Sequence, residues 1–251
     1  MKFVVIGGTG LIGSQVVRGL RERGHEAVAA APSTGVNTLT GEGLAEAVTG
    51  ASVVVDVSNS PSFEDGPVLE FFATSTRNLL AAEAVAGVGH HVVLSVVGAE
   101  GLPESGYLRA KVAQHELVEG SSTPFTIVQA TQFFEFVGGI ADSGTEDGVV
   151  RMAPVSFQPI AGEDVARVVV EAAVAAPVNG RVEVGGPERF RMDEFFRAVL
   201  AARDDPRGVV TDPHARYFGT ELTDRSLVPD DDAARGEIRY RDWPGRVPTA
   251  E

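Results

Sequence analysis

A chain of 251 residues, 43% of them hydrophobic, is long enough to bury one large core, so a single domain over residues 1–251 is expected. The formal charge of −14 at pH 7 excludes nucleic acid and anionic membrane surfaces as expected partners, because both repel an acidic surface. The absence of cysteine excludes disulfides and thiolate metal sites, and the five histidines show no metal-ligand spacing, so no metal is expected. With an N-terminal apolar run too short for a signal peptide or membrane span, the sequence predicts a soluble, cytoplasmic protein.

Short apolar runs alternate with longer segments of helical period, which is typical of a parallel sheet covered by helices on both faces. Strands are predicted at about 2–6, 26–31, 52–57, 90–97, 124–130 and 181–184. The predicted helices run from Pro67 to Gly87, over about 106–119, and from Gly162 to a point before Pro177. From about residue 203, frequent prolines and an acidic run predict a polar tail of unsettled order.

The stretch GGTGLIG at residues 7–13 follows the first predicted strand and opens a helix. Gly7 permits the sharp bend, Gly10 lets a pyrophosphate approach the backbone, and Gly13 lets the helix lie close to the sheet. The amides of Leu11 and Ile12 then face the phosphates from the positive end of the helix. A tight turn without a ligand is the alternative. The context of strand and helix favours dinucleotide binding on a Rossmann-type doubly wound α/β sheet, with a small substrate-side region from about residue 131.

The end of the second predicted strand bears on the choice of cofactor. A carboxylate at this position normally binds the ribose 2′-hydroxyl of NAD, but here the strand runs into Ser33 and Thr34. These hydroxyls can donate to a 2′-phosphate, so NADP is favoured, with NAD and an ordinary polar turn as alternatives. Ser58 and Asn59 follow the third strand, where the cofactor ribose is expected to pass, although a turn explains them equally well.

One of only two lysines in the chain, Lys111, lies four residues after one of only three tyrosines, Tyr107. If the residues were placed at random, the expected number of tyrosine–lysine pairs with this spacing would be roughly 0.02. On the predicted helix the two side chains share a face, where a cation lowers the pKa of a phenol toward neutrality. Ser95 ends the preceding strand at the edge of the sheet where α/β proteins bind ligands, so the three side chains are expected to converge. A surface tyrosine beside a surface lysine is the alternative.

These motifs resemble the short-chain dehydrogenase/reductase superfamily over about residues 1–200. The GxxGxxG turn, a strand ending in Ser-Val-Val-Gly and the Tyr-x-x-x-Lys pair carry the resemblance, and TIVQATQFFEF at 126–136 is similar to the atypical, NmrA-like NAD(P)-binding branch. Many members of the superfamily carry an asparagine in the central helix that relays protons. Here Phe72 stands at that position, which puts efficient catalysis in doubt.

The resemblance implies roles for three residues. Tyr107 would be the general acid or base on the substrate oxygen, Ser95 would hold that oxygen, and Lys111 would bind the nicotinamide ribose and lower the tyrosine pKa. It also places four phenylalanines on the substrate side, where they could line a pocket for a small apolar or aromatic carbonyl or quinone, although core packing is the better expectation for any single ring. They are Phe133, Phe134, Phe136 and Phe157.

Three functions are compatible with this sequence. The first is an NAD(P)H-dependent reductase acting on a small molecule. The second is a non-catalytic, NmrA-like dinucleotide sensor that binds a protein partner. The third is a sugar-nucleotide epimerase or dehydratase, which the acidic chain and its short C-terminal remainder disfavour. The sequence does not predict the oligomeric state.

Overall fold

The computed structural model describes residues 1–246, and the part of the predicted tail at 247–251 lies outside the described residues. The chain has seven α-helices, and their bounds are α1 Leu11–Glu22, α2 Leu44–Val48, α3 Asp65–Ala86, α4 Gly106–Glu119, α5 Val137–Ser143, α6 Gly162–Val174 and α7 Met192–Ala202 within the described residues. Its strands are β1 Lys2–Ile6, β2 Glu26–Ala30, β3 Val53–Asp56, β4 His90–Val96, β5 Phe125–Ala130, β6 Thr145–Glu146, β7 Val149–Met152, β8 Ser156–Phe157, β9 Gly180–Gly185, β10 Phe190–Arg191, β11 Val209–Thr211, β12 Arg216–Tyr217, β13 Thr220–Glu221 and β14 Ala234–Arg235.

The main sheet has seven strands in the order β14-β9-β5-β4-β3-β1-β2. β1 pairs in parallel with β2 and β3, and β3 pairs in parallel with β4, so each connection is a crossover through a helix. The central strands are apolar and almost fully buried because helices cover both faces of such a sheet. The predicted Rossmann-type α/β fold is confirmed.

The chain divides into two compact units. Unit 1 comprises residues 1–95, 106–129 and 165–182, and it contains the glycine turn, α3 and α4. In α1 the buried residues recur at helical spacing, whereas the arginines between them face solvent. α3 ends at Gly87, which adopts a left-handed conformation with φ of +71°. It begins at Asp65, two residues before the predicted start, because Pro67 fits within the first helical turn, where its missing N–H is not needed.

Unit 2 comprises residues 96–105 and 130–164 and the chain from 183 onward. The predicted polar tail contributes short strands here: β11 pairs with β7, and β14 joins the main sheet beside β9. Tyr240 packs its ring edge against Phe134 with centroids 5.1 Å apart, and it packs in the same way against Phe195. Whether the two units form the single domain predicted from the sequence stays a prediction.

Candidate functional site

The glycine turn between β1 and α1 is closed by contacts that leave no room for a side chain. Gly7 has a φ of +75°, and a Cβ built on it would lie 2.9 Å from the backbone of Ser58. A Cβ on Gly13 would lie 2.1 Å from the carbonyl oxygen of Gly7. The turn is fastened by the amide of Gly10, which donates to the same oxygen over 2.9 Å. Gly7 and Gly13 are therefore required by the turn itself.

Gly10 stands in a different environment. It is the exposed N-cap of α1 and has no side-chain cap, and an added Cβ would meet only the Gly7 oxygen, at 3.2 Å. Its outer side is open, so a ligand can approach the backbone at the positive end of a twelve-residue helix. Leu11, which is exposed, and Ile12, which is buried, supply the first-turn amides. A contact of these residues with the pyrophosphate of a dinucleotide stays a prediction.

The turn after β2 uses the two predicted hydroxyl groups differently. Thr34 Oγ1 accepts a hydrogen bond from the Ala31 amide over 2.9 Å and lies 3.1 Å from the Ala29 carbonyl oxygen, to which it can donate. The hydroxyl of Thr34 therefore stabilises the short 3₁₀ turn Pro32–Thr34. Ser33 is exposed. Because the Thr34 hydroxyl bonds to the turn backbone, the Ser33 hydroxyl is the better placed of the two to meet a 2′-phosphate. The preference for NADP stays a prediction.

The residues after β3 join the glycine turn to the predicted catalytic tyrosine. Asp56, at the end of β3, is 2% exposed and accepts hydrogen bonds from the amide and the hydroxyl of Ser58, over 3.0 and 2.6 Å. The next residue, Asn59, accepts a hydrogen bond from the Tyr107 hydroxyl over 3.2 Å. The structure therefore brings a predicted cofactor residue and the predicted general acid together.

Tyr107 is held by aromatic neighbours as well as by Asn59. Its ring packs edge-on against Phe72, with centroids 5.9 Å apart, and tilted against Phe63 at 5.4 Å. Burial raises the pKa of Tyr107 to about 12. The expectation that Lys111 lowers this pKa was wrong, because the lysine ammonium bonds to other groups and the ring lies among apolar side chains.

Lys111 points into the interior of unit 1 and is 2% exposed. Its Nζ donates to the Leu94 carbonyl oxygen over 2.9 Å and to Gln114 Oε1, and it lies 4.4 Å from the centroid of the Phe72 ring. Burial lowers the pKa of Lys111 to about 8, against the raising influence of the Asp56 carboxylate. The ribose contact implied for this lysine stays a prediction.

A buried amide links Lys111 to Asp56. Gln114 Nε2 donates to Asp56 Oδ2 over 3.0 Å and to Thr76 Oγ1 over 3.2 Å, and Gln114 has no exposed surface. Sequence reasoning missed Asp56 and Gln114. The available signals were a single carboxylate in the apolar strand VVVD and a glutamine three residues after the lysine, one turn along the same helix.

Ser95 does not join Tyr107 and Lys111. It is 3% exposed, and its Oγ lies 2.5 Å from Nε2 of His115, which is fully buried. Within residues 1–246 no hydrogen bond connects the Ser95 hydroxyl to either predicted catalytic partner. The predicted convergence of three side chains was wrong, because α4 places a histidine over the end of β4 and that histidine takes the serine hydroxyl.

The four predicted pocket phenylalanines belong to unit 2 and divide into two pairs. Phe134 and Phe157 are 1% and 0% exposed, and each packs among other aromatic rings. They are core residues, so their assignment to a substrate pocket was wrong. Large apolar side chains generally prefer the protein interior, and these two follow that preference. Phe133 and Phe136 stack with centroids 5.4 Å apart, and Phe136 is 49% exposed. A substrate role for this second pair stays a prediction.

Two absences bear on the site. No group of histidine, aspartate and glutamate side chains in residues 1–246 could hold a metal ion. Within the same range, every helix is too short or too polar to span a membrane.

Comparison with characterised proteins gives the chain relatives of low identity. It is 24% identical over 201 residues to the Photosystem II assembly factor Ycf39 of Cyanophora paradoxa, covering 72% of this chain and 62% of that protein. Its identity to Ycf39 of Synechocystis sp. is 24% over 149 residues, covering 54% of this chain and 46% of that protein. The chain therefore spans about half to three fifths of the length of these curated relatives.

Solved structures share the fold at still lower identity. MoeE5 in complex with UDP-glucose and NAD superposes with a TM-score of 0.69 at 17% identity, covering 86% of this chain and 87% of that one. A short-chain dehydrogenase/reductase superfamily protein from Agrobacterium tumefaciens with bound NAD gives 0.68 at 18%, covering 90% and 94%. The UDP-glucose 4-epimerase of Thermus thermophilus with NAD gives 0.66 at 18%, covering 90% and 92%.

The solved structures confirm the Rossmann-type fold that the resemblance to the short-chain dehydrogenase/reductase superfamily implies. Residues 7–176 match a family described as NAD(P)H-binding, and this segment starts at the glycine turn and includes Asn59, Tyr107 and Lys111. Because the match covers well over half of its length, the chain belongs to the NAD(P)H-binding family.

Proposed function

We propose that this protein is an NAD(P)H-dependent reductase of a small apolar or aromatic carbonyl or quinone, with the Tyr107 hydroxyl as proton donor to the substrate oxygen. The observation that carries the proposal is the hydrogen bond from Tyr107 to Asn59. Asn59 follows Ser58, whose backbone contacts Gly7 of the dinucleotide turn. The phenol therefore bonds to a predicted cofactor residue whose neighbour in the chain contacts the dinucleotide turn.

The protonation state of Tyr107 supports a role as donor in the direction of reduction. With a pKa raised to about 12 by burial, the phenol keeps its proton at neutral pH. A bound dinucleotide supplies the hydride in this chemistry, and the protein contributes orientation and a proton. Tyr107 would give its proton to the oxygen that gains negative charge as the carbonyl is reduced, and Asn59 holds the hydroxyl in place beforehand.

The remaining parts of the proposal rest on the sequence. We propose NADPH as the preferred cofactor, since no carboxylate ends β2, and Phe133 and Phe136 as apolar contacts for the substrate. The net charge of −14 supports a small-molecule substrate rather than nucleic acid or an anionic membrane, and a cytoplasmic location is part of the same proposal.

The test is Tyr107→Phe, which removes one hydroxyl and keeps the ring that packs against Phe72. If Tyr107 donates the proton, turnover should fall by about 10²–10⁴-fold, the usual share of a general acid. NADPH affinity, measured separately by fluorescence titration, should change less than about threefold, since the phenol is not assigned to the cofactor. The assay is NADPH oxidation with a panel of apolar ketones, aldehydes and quinones. Tyr217→Phe, which removes a hydroxyl in unit 2, is the control. Full activity of Tyr107→Phe would contradict the assignment.

A second candidate is a dinucleotide-binding protein without catalysis, and the buried pair Ser95–His115 is the observation that favours it. A buried Ser95 hydroxyl that bonds to His115 is unavailable to the carbonyl oxygen of a substrate, and the Lys111 ammonium likewise bonds to an interior group, the Leu94 carbonyl. The similarity to Ycf39, which is described as a Photosystem II assembly factor, supports the same candidate. In that case the parent protein binds NADPH but oxidises it with no member of the panel, and Tyr107→Phe leaves binding unchanged.

A further inference from the structure

We propose that Gln114 is a positioning residue for Lys111: its amide couples the buried Asp56 carboxylate to the lysine ammonium and holds the ammonium inside unit 1. The inference rests on the proposed function only where it gives Lys111 a part in the dinucleotide site. The coupling itself depends on three side chains in hydrogen-bond sequence, Asp56, Gln114 and Lys111.

The chemistry of the three groups permits only one orientation of the amide. An ammonium can only donate hydrogen bonds and a carboxylate can only accept them, whereas a primary amide has one donating and one accepting end. The Gln114 oxygen must therefore face Lys111, and its NH₂ group must face Asp56. The second N–H of that group donates to Thr76 Oγ1, so both amide protons are used. Because these residues are 0–2% exposed, water does not compete for the bonds.

The surroundings of Lys111 make this amide important for its charge. β4 offers the Leu94 carbonyl oxygen, and α3 offers the Phe72 ring. The Thr76 hydroxyl of α3 accepts from Gln114 and not from Lys111. Asp56 on β3 is the carboxylate that raises the pKa of Lys111 against burial, and it also acts on His91 of β4. Gln114 provides the direct hydrogen-bond path between this carboxylate and the ammonium. Without its oxygen, Lys111 keeps the Leu94 carbonyl as its hydrogen-bond acceptor among the described contacts.

Phe72 stands at the position where the superfamily resemblance implies a proton-relaying asparagine, and it contacts Lys111. Phe72 covers the ammonium with its ring face at 4.4 Å, so it stabilises the cation without accepting or donating a proton. The polar partner of Lys111 is instead Gln114, on α4 itself. Gln114 thus sets the protonation and position of the one lysine in the candidate site.

The experiment uses the two-lysine composition of the chain. The full protein, labelled with ¹³C-lysine, gives only the side-chain signals of Lys2 and Lys111, and their pKa values follow from a titration between about pH 6 and 11 by NMR. The parent, Gln114→Met and Gln114→Glu are compared. Methionine has a similar shape without the acceptor, so the Lys111 pKa should fall by at least about half a unit. Glutamate keeps an acceptor for the ammonium and shares a proton with the adjacent Asp56 carboxylate, so the Lys111 pKa should stay at the parent value or rise. Lys2 is the internal control.

A packing role for Gln114 makes a different prediction: both variants would leave the Lys111 pKa unchanged or shift it in one direction, and either result overturns the proposal. If Gln114→Met does not fold, Gln114→Ala, which also lacks the acceptor, replaces it in the same titration, and the parent tests separately whether the ammonium is held inside unit 1. Acetylation at pH 8, followed by mass spectrometry, should modify Lys111 at least about tenfold more slowly than the partly exposed Lys2, and equal rates would overturn the proposal. These readouts are independent of turnover, so an inactive parent would refute the reductase and leave this inference standing.

Discussion

Gly13→Ala should destabilise the protein strongly, because the turn between β1 and α1 has no space for one methyl group. A Cβ at this position would lie 2.1 Å from the Gly7 carbonyl oxygen and 2.7 Å from Gly8 Cα, and both obstacles are backbone atoms. Restoring normal contact distance requires a backbone shift of about 1 Å or more, and overpacking of this kind costs about 1–3 kcal/mol or more in the free energy of unfolding. With an m-value of about 2 kcal/mol/M, the urea midpoint should fall by about 1 M.

Gly139→Ala is the matched control, since Gly139 is exposed within α5 and its added Cβ meets nothing within 4 Å. There the methyl group should stabilise the helix by about 0.5–1 kcal/mol. Gly10→Ala, also at the glycine turn but with an open outer side, should leave the urea midpoint within about 0.5 M and weaken NADPH binding instead. If Gly13→Ala unfolds at the same urea concentration as the parent, the turn has room for a methyl group at Gly13 and this prediction is refuted.

Two further predictions concern a buried histidine and the cofactor. Burial lowers the pKa of His90 to about 4, below its unfolded value of about 6.5, so the neutral histidine stabilises the fold fully above pH 6.5 and this stability is lost as the pH falls from 6.5 toward 4. In urea unfolding, the free energy of unfolding of His90→Gln should therefore fall less steeply between pH 6.5 and 4 than that of the parent, and an equal slope would contradict this. Ser33→Ala should reduce NADPH affinity without affecting stability, whereas Thr34→Val should lower the melting temperature, because the Thr34 hydroxyl bonds to the turn backbone. If both variants weaken NADPH binding equally and neither changes the melting temperature, this division of roles is refuted.

The sequence predicted the backbone well because apolar runs and helix punctuation are local signals. The predicted strand at 2–6 and helix at 106–119 have the observed bounds, and the other five predicted strands differ from the observed ones by about one residue at their ends. The start of α3 was misplaced by two residues, since proline is tolerated at several positions of a first helical turn. The short strands after residue 203 were missed, because they are two or three residues long and form only through pairing with distant segments.

Side-chain direction was the part that the sequence could not supply. The aromatic residues show this clearly, since Phe134 and Phe157 are core while Phe136 is half exposed, although all three are large and apolar. The burial of Phe134 and Phe157 depends on Tyr240 and on Phe195 of α7, which lie far along the chain. Periodicity contains no information about such packing partners. The steric roles of Gly7 and Gly13 were predictable, by contrast, because a backbone constraint acts within a few residues, whereas the phosphate contact at Gly10 stays a prediction.

The face of α4 that carries the tyrosine and the lysine explains why the three predicted catalytic residues have different partners. Tyr107, Lys111 and His115 stand at i, i+4 and i+8, so they share a helix face. Their exposure falls along that face, from half-buried Tyr107 to 2% for Lys111 and 0% for His115. The face therefore descends from the edge of unit 1 into its core, and each position takes the partner at its own depth. Tyr107 meets Asn59 near the glycine turn, Lys111 meets the Leu94 carbonyl, and His115 meets Ser95. A spacing of four residues establishes a shared face, and only the packing of the helix against the sheet decides how much of that face a ligand can reach.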